Sequence, residues 1–277
     1  MQHLLSNDVS TLTTIFFYTV ATILGFCGML TRKLDWQKIA CYGALLGFLF
    51  QTATLLFGFH ASFSSGLPGG AYLQILAWFV GIAGIFLWLK LKLPTPLLFA
   101  TPFCLILFVM SLPYLAHAIQ MPQQIASSFY FLHIATLYIS LALISIAFIA
   151  SCLFLLSERT IKKKRKFKGL LQDTPSLHIL DKINHICLLS AFPLYTVGMV
   201  TGFLRSKPTF GATFSGDPKI IVSIIIWGLL AILFHNRLAK NWAGKKPAYC
   251  MVCIFLLSLF SLLVINTLMD SHHTFLR

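Results

Sequence analysis

Charge is what this sequence has least of. Asp and Glu together number 7 in 277 residues, and charged residues of both signs make up only 10%, against about 25% in a soluble domain. With 58% apolar residues and a mean hydropathy of +0.85, the chain has too little polar surface to face water, so lipid must cover it. A bilayer core takes roughly 20 helical residues per crossing, so the length allows about eight crossings with short loops and excludes a separate soluble domain. None of the acids (Asp8, Asp35, Glu158, Asp173, Asp181, Asp217, Asp270) falls deep in an apolar run, so the mid-membrane carboxylate usual in a proton-coupled transporter is missing. No phosphate-cradling glycine motif, paired-carboxylate site or defensible Ser-His-Asp set occurs. The chain therefore carries no stand-alone catalytic motif.

Other absences narrow the class further. The 7 cysteines lie scattered in apolar runs, and an odd count there is the pattern of small buried hydrophobes rather than of a disulfide framework. Cys250 and Cys253 have CxxC spacing but open an apolar helix, so they read as packing. No basic stretch precedes the first apolar run near Thr11, so no cleavable signal peptide is expected. The net charge of +14 is not interleaved with exposed aromatics. It reports loop topology rather than a nucleic-acid partner.

What is present is a series of apolar runs. They predict an all-α, polytopic membrane protein with spans at about 11–30, 39–59, 71–89, 95–114, 128–156, 186–204, 220–236 and 248–269. Of the 21 basic residues, 17 lie in alternate loops, and the other face has only Arg205, Lys207, Lys219 and Arg277. Basic loops stay on the cytoplasmic side, so both termini are expected outside, with a multi-pass body in the lipid bilayer of a bacterial inner (cytoplasmic) membrane. The run KKKRKFK, Lys162 to Lys168, then lies in the cytoplasm. It reads as a topology anchor on anionic lipid or as a docking site for a cytosolic partner.

Histidine is the informative residue. The topology sorts six of the 9 histidines outward. His133 stands about five residues into the fifth span, roughly 8 Å below its outer end at 1.5 Å per residue. His272 and His273 follow the outer end of the eighth. Between the same outer ends emerges KPTFGATFSGDPK, Lys207 to Lys219, a loop with no tryptophan although the chain has 5. Neutral imidazoles bind metals and haem iron. A zinc site would add cysteine or carboxylate ligands, and only Asp217 and Asp270 are near. Two histidines across a flat ring, with Phe210 and Phe214 against its faces and Arg205, Lys207 and Lys219 for its propionates, describe haem. Plainer readings stand beside this one. Histidines near helix ends serve as interfacial polar residues, loop phenylalanines anchor at the membrane surface, and Asp217-Pro218 starts a helix well.

The segments FLHIATLYISL, LDKINHICLLSAFPLYTVGMVTG, FGATFSGDPK, WGLLAILFHNR and VINTLMDSHHTF together resemble the cytochrome c assembly family, in its CcsA/HemX-like branch. The resemblance runs from about Ser128 to Phe275. It implies a single membrane domain over 1–277, with a cytochrome c assembly core at 125–277 and four accessory spans in 1–124. It implies haem b held at an outer bis-histidine site, with His133 as the first axial ligand. His273 is the second, standing seven residues after Asn266 as in the family. It also implies Phe210, Phe214 and Asp217 as the platform where members carry a tryptophan-rich loop. His235 corresponds to a histidine near the inner end of the following span. It lies sixteen residues after Lys219, about 24 Å along a helix, so it serves an inner station, partnered by His185 or another chain. Family members take haem across the membrane and present it to apocytochrome c, in bacteria with a second membrane assembly protein, as part of a haem lyase or synthase. The HemX-like relatives imply the alternative, a regulator or scaffold acting on glutamyl-tRNA reductase. A small-molecule transporter is the third reading.

Overall fold

The computed structural model describes residues 2–31, 33–62, 70–114, 128–164, 174–210 and 218–262. Their secondary structure is helical throughout. The α-helices are α1 (Gln2–Thr31), α2 (Leu34–Ser62), α3 (Ala71–Leu91), α4 (Thr95–Ser111), α5 (Ser128–Lys162), α6 (Leu177–Phe210), α7 (Pro218–Ala239) and α8 (Lys245–Phe260), with a short 3-10 turn over Leu112–Tyr114. Six of these, all but α4 and α8, are long and apolar enough to cross a membrane. The chain is thus a polytopic helical membrane protein. Most helices outrun the apolar runs that announce them, and α5 and α6 show why. α5 continues six residues past 156, through Glu158, which pairs with Lys162 at 2.9 Å. α6 begins nine residues before 186, at Leu177, because Asp181 and Asn184 find partners within the fold. The predicted end of the last span, at 269, lies outside the described residues.

The chain divides into two compact units, Met1–Gln120 with Leu156–Ser176, and Met121–Leu155 with Leu177–Arg277. In the first, α1 and α2 form a tight antiparallel hairpin. The Lys33 amide donates to Gly28 O at 3.0 Å, and a side chain at Gly28 would meet the Gln37 backbone nitrogen at 3.0 Å. Lys92, in the left-handed conformation at φ 55, closes α3 with its amide on Trp88 O. Several polar groups between these helices find partners in one another, since hydrocarbon offers no alternative. Tyr18 Oη donates to Gln51 Oε1 at 2.6 Å, Gln51 Nε2 to Gln74 O at 2.9 Å, and Trp78 Nε1 to Thr52 Oγ1 at 2.9 Å.

The second unit holds the larger polar network. Arg237, near the end of α7, has a side chain only 3% exposed. Its guanidinium grips the Asp181 carboxylate with two parallel bonds, Nη1 to Oδ2 at 3.0 Å and Nη2 to Oδ1 at 2.9 Å. It also donates to Asn184 Oδ1 at 3.0 Å and to Trp242 O at 2.9 Å. Asn184 Nδ2 donates onward to Ser151 Oγ on α5 at 2.6 Å. Gly244, at φ 78, a backbone setting that favours glycine, points its amide at Asp181 Oδ1 at 3.0 Å. One guanidinium therefore ties α5, α6, α7 and the α7–α8 turn together. Replacing it leaves the half-buried Asp181 carboxylate, 23% exposed, and the buried Asn184 amide without their donor, a loss worth about 1–3 kcal/mol. Arg237→Met should lower the unfolding midpoint of detergent-solubilised protein by several degrees or abolish folded yield, with Asp181→Asn milder. A midpoint unchanged by Arg237→Met would contradict this role.

Candidate functional site: an imidazole clamped between two membrane helices

His133 is the sixth residue of α5. Across from it, α6 carries Gly198 and Gly202, a glycine pair at i, i+4 of the kind that lets membrane helices approach closely. A methyl at Gly202 would lie 2.6 Å from His133 Cε1 and 2.9 Å from Nδ1. A methyl at Gly198 would lie 2.6 Å from the Leu137 side chain. The two missing side chains make room for the imidazole and for the residue one turn below it. His133 Nδ1 then stands 2.6 Å from Gly198 O. A carbonyl only accepts, so Nδ1 carries the proton, and in the neutral ring the lone pair sits on Nε2. Thr201 Oγ1 donates to the same carbonyl at 2.9 Å, and to Val197 O at 2.8 Å.

The half-buried ring lines two adjoining cavities, of about 120 Å³ and 90 Å³. Leu137, Tyr195 and Lys219 line both. The larger cavity follows one face of α5 through Leu137 to Leu141, against Ile226 of α7 and Ser258 and Ser261 after it. That stripe of i, i+4, i+8 positions is about 12 Å long. Both cavities are smaller than the roughly 300–1,000 Å³ of a typical ligand pocket, so neither encloses a porphyrin alone. Their walls combine an apolar lining, the His133 imidazole and Lys219. The α6–α7 side is held by Trp227 Nε1 donating to Thr196 Oγ1 at 3.0 Å and by Tyr195 Oη near Ser223 O at 3.4 Å.

Of the residues singled out from sequence, His133 and Lys219 come together at one place. Phe210 contributes only its backbone, as the last residue of α6. Its side chain, with Phe214, Asp217 and His273, lies outside the described residues. Pro218 opens α7, where its missing amide costs nothing. His235 lies exposed near the far end of α7, two residues before Arg237. His185 follows Asn184 on α6 and is half-buried. Among the described residues no three His, Cys, Asp or Glu side chains are grouped to hold a metal ion. Sequence reasoning passed over Gly198, Thr201, Gly202 and Tyr195. The GMVTG spacing was the available signal, and it became meaningful only with His133 opposite.

Residues 69–273 match the family model described as cytochrome C assembly protein, a stretch that contains the imidazole clamp, both cavities and the Arg237 network. The chain is 24% identical over 291 aligned residues to a cytochrome c biogenesis protein CcsA of Guillardia theta, covering 98% of this chain and 95% of that protein. To the protein of the same name from Pyropia yezoensis it is 24% identical, covering 73% of this chain and 76% of the relative. With the one from Chlamydomonas reinhardtii the identity is 29% over 54% of this chain, and the match spans 41% of that longer relative. On the strength of a match that takes in three-quarters of its length, the chain belongs to the cytochrome c assembly protein family.

Proposed function

We propose that this protein handles haem for cytochrome c maturation, binding or translocating it and presenting it at an outer site to apocytochrome c, together with a second membrane assembly protein. The observation that carries the reading is the state of His133. Its Nδ1 proton is held on the Gly198 carbonyl, which leaves the Nε2 lone pair as the ligating one, and the ring borders two apolar cavities beside the Lys219 cation. Metal-bound histidines are oriented and made more basic in this way. Bound haem b supplies an iron that takes two axial imidazoles and carboxylates that pair with cations.

His133 would hold the iron from one side and His273 from the other, with His272 as its neighbour. Phe210, Phe214 and Asp217 would form the platform, and Lys219 would pair with a propionate. Phenylalanine keeps an apolar face but lacks the area and the N–H of tryptophan, so haem would be held more loosely than on a tryptophan-rich loop. The topology that fits this reading has eight crossings in a bacterial inner membrane with both termini outside, the first 124 residues supplying four accessory spans. His235 would then serve haem at the inner face.

The second reading is a HemX-like regulator acting through the cytoplasmic surface. Lys163 and Lys164, exposed at the end of α5, favour it to the extent that a basic run there meets a soluble partner. Purified protein should show a bis-histidine haem spectrum that weakens in His133→Ala and in His273→Ala and disappears in the double variant. An unchanged Soret band in the double variant would remove this ligation. Deleting Lys162–Lys168 should leave both the spectrum and the level of glutamyl-tRNA reductase unchanged. A change in reductase level with the spectrum intact would instead favour the regulator.

A further inference from the structure

We infer that Thr201 and Gly202 are positioning residues for His133: the absent side chain of Gly202 admits the imidazole, and the Thr201 hydroxyl tunes how strongly that imidazole donates to Gly198. The inference rests on the haem reading for its purpose, but not for its geometry.

The Gly198 carbonyl receives two side-chain donors, the Nδ1–H of His133 at 2.6 Å and the Thr201 hydroxyl at 2.9 Å. Both draw on the same oxygen. The hydroxyl has a single proton and a second acceptor within reach, Val197 O at 2.8 Å. When it turns to Gly198 it takes electron density that would otherwise strengthen the bond to His133. When it turns to Val197 the imidazole has the carbonyl to itself among these two. Thr201 is 5% exposed, so water does not blur the competition. The neighbouring hydroxyl, Thr136, does not enter it, because Thr136 Oγ1 donates within α5 to Leu132 O at 2.7 Å.

The consequence for a ligand on Nε2 is electronic. The more fully Nδ1–H is given to the carbonyl, the more anionic the imidazole becomes and the better it stabilises ferric over ferrous iron. Removing the Thr201 hydroxyl should therefore lower the reduction potential of a haem held by His133. Gly202 acts by exclusion. A side chain 2.6 Å from Cε1 and 2.9 Å from Nδ1 pushes the ring off, and the bond to Gly198 goes with it.

The test begins without haem. Full-length protein carrying 15N-labelled histidine is reconstituted in lipid nanodiscs, and the His133 resonances are assigned by their loss in His133→Ala. Wild type, Thr201→Ser and the near-isosteric Thr201→Val should all show Nδ1 protonated. The Nδ1 proton should move downfield in Thr201→Val and stay at its wild-type position in Thr201→Ser. In Gly202→Ala the single-tautomer signature should be lost. A wild-type His133 protonated on Nε2, a Thr201→Val proton at the wild-type position, or a Gly202→Ala spectrum that superimposes on wild type would each overturn the inference. Should Gly202→Ala not fold, the Val and Ser pair at Thr201 decides it. Haem is then added. The potential should fall in Thr201→Val and return to the wild-type value in Thr201→Ser. A potential that ignores the hydroxyl overturns the tuning role. Wild-type protein that takes up no haem while the tautomer pattern holds would sink the haem reading and leave the positioning of His133 standing.

Discussion

The close crossing of α5 and α6 at Gly198 and Gly202 is the constraint from which the candidate site follows. An imidazole is too large to lie between two helices that carry ordinary side chains at the contact. Here it meets bare backbone instead, and the nearest carbonyl becomes its hydrogen-bond partner at 2.6 Å. One geometric fact thus determines three properties of His133: where the ring lies, which nitrogen carries the proton, and which nitrogen has a lone pair for chemistry. The cavities bordered by the ring are the space left beside such a crossing, with Tyr195 and Lys219 completing the wall.

The opposite end of the same unit solves a related problem by other means. A charged group among membrane helices is tolerated only when paired and hydrogen-bonded. Arg237 meets that demand with a two-point contact to Asp181 and further bonds to Asn184 and Trp242 O. Through Ser151 the network reaches α5, so the helix that carries His133 near one end is tied into the polar core near the other. Fixing the far end of α5 against α6 and α7 restrains rotation of the helix about its axis, and rotation is the motion that would carry His133 away from Gly198.

The legibility of this protein in its sequence was uneven, for physical reasons. Helical class and membrane residence were plain, because hydrophobic runs about as long as a bilayer is thick admit one explanation. The ends of α5 and α6 were misjudged. Hydropathy counts Glu158, Asp181 and Asn184 as loop residues, whereas pairing with Lys162 and Arg237 keeps them helical. His133 stood out because a histidine a turn and a half into a span is unusual. Lys219 was read as one of three outer cations for a propionate, and nothing in the sequence joined Asp181 to Arg237. That they form a single bidentate pair depends on a separation of 56 residues that no local pattern encodes.

Composition and periodicity alone determined that the chain is helical, lies in a membrane and presents histidines near the ends of its spans, since those follow from the cost of exposing apolar surface or backbone to the wrong solvent. Only the tertiary structure decided what His133 does with its two nitrogens. The answer depends on a carbonyl 65 residues away and on two side chains that are not there. A sequence records a glycine without recording what its absent side chain makes room for, and that space exists only once a second helix has been brought against it.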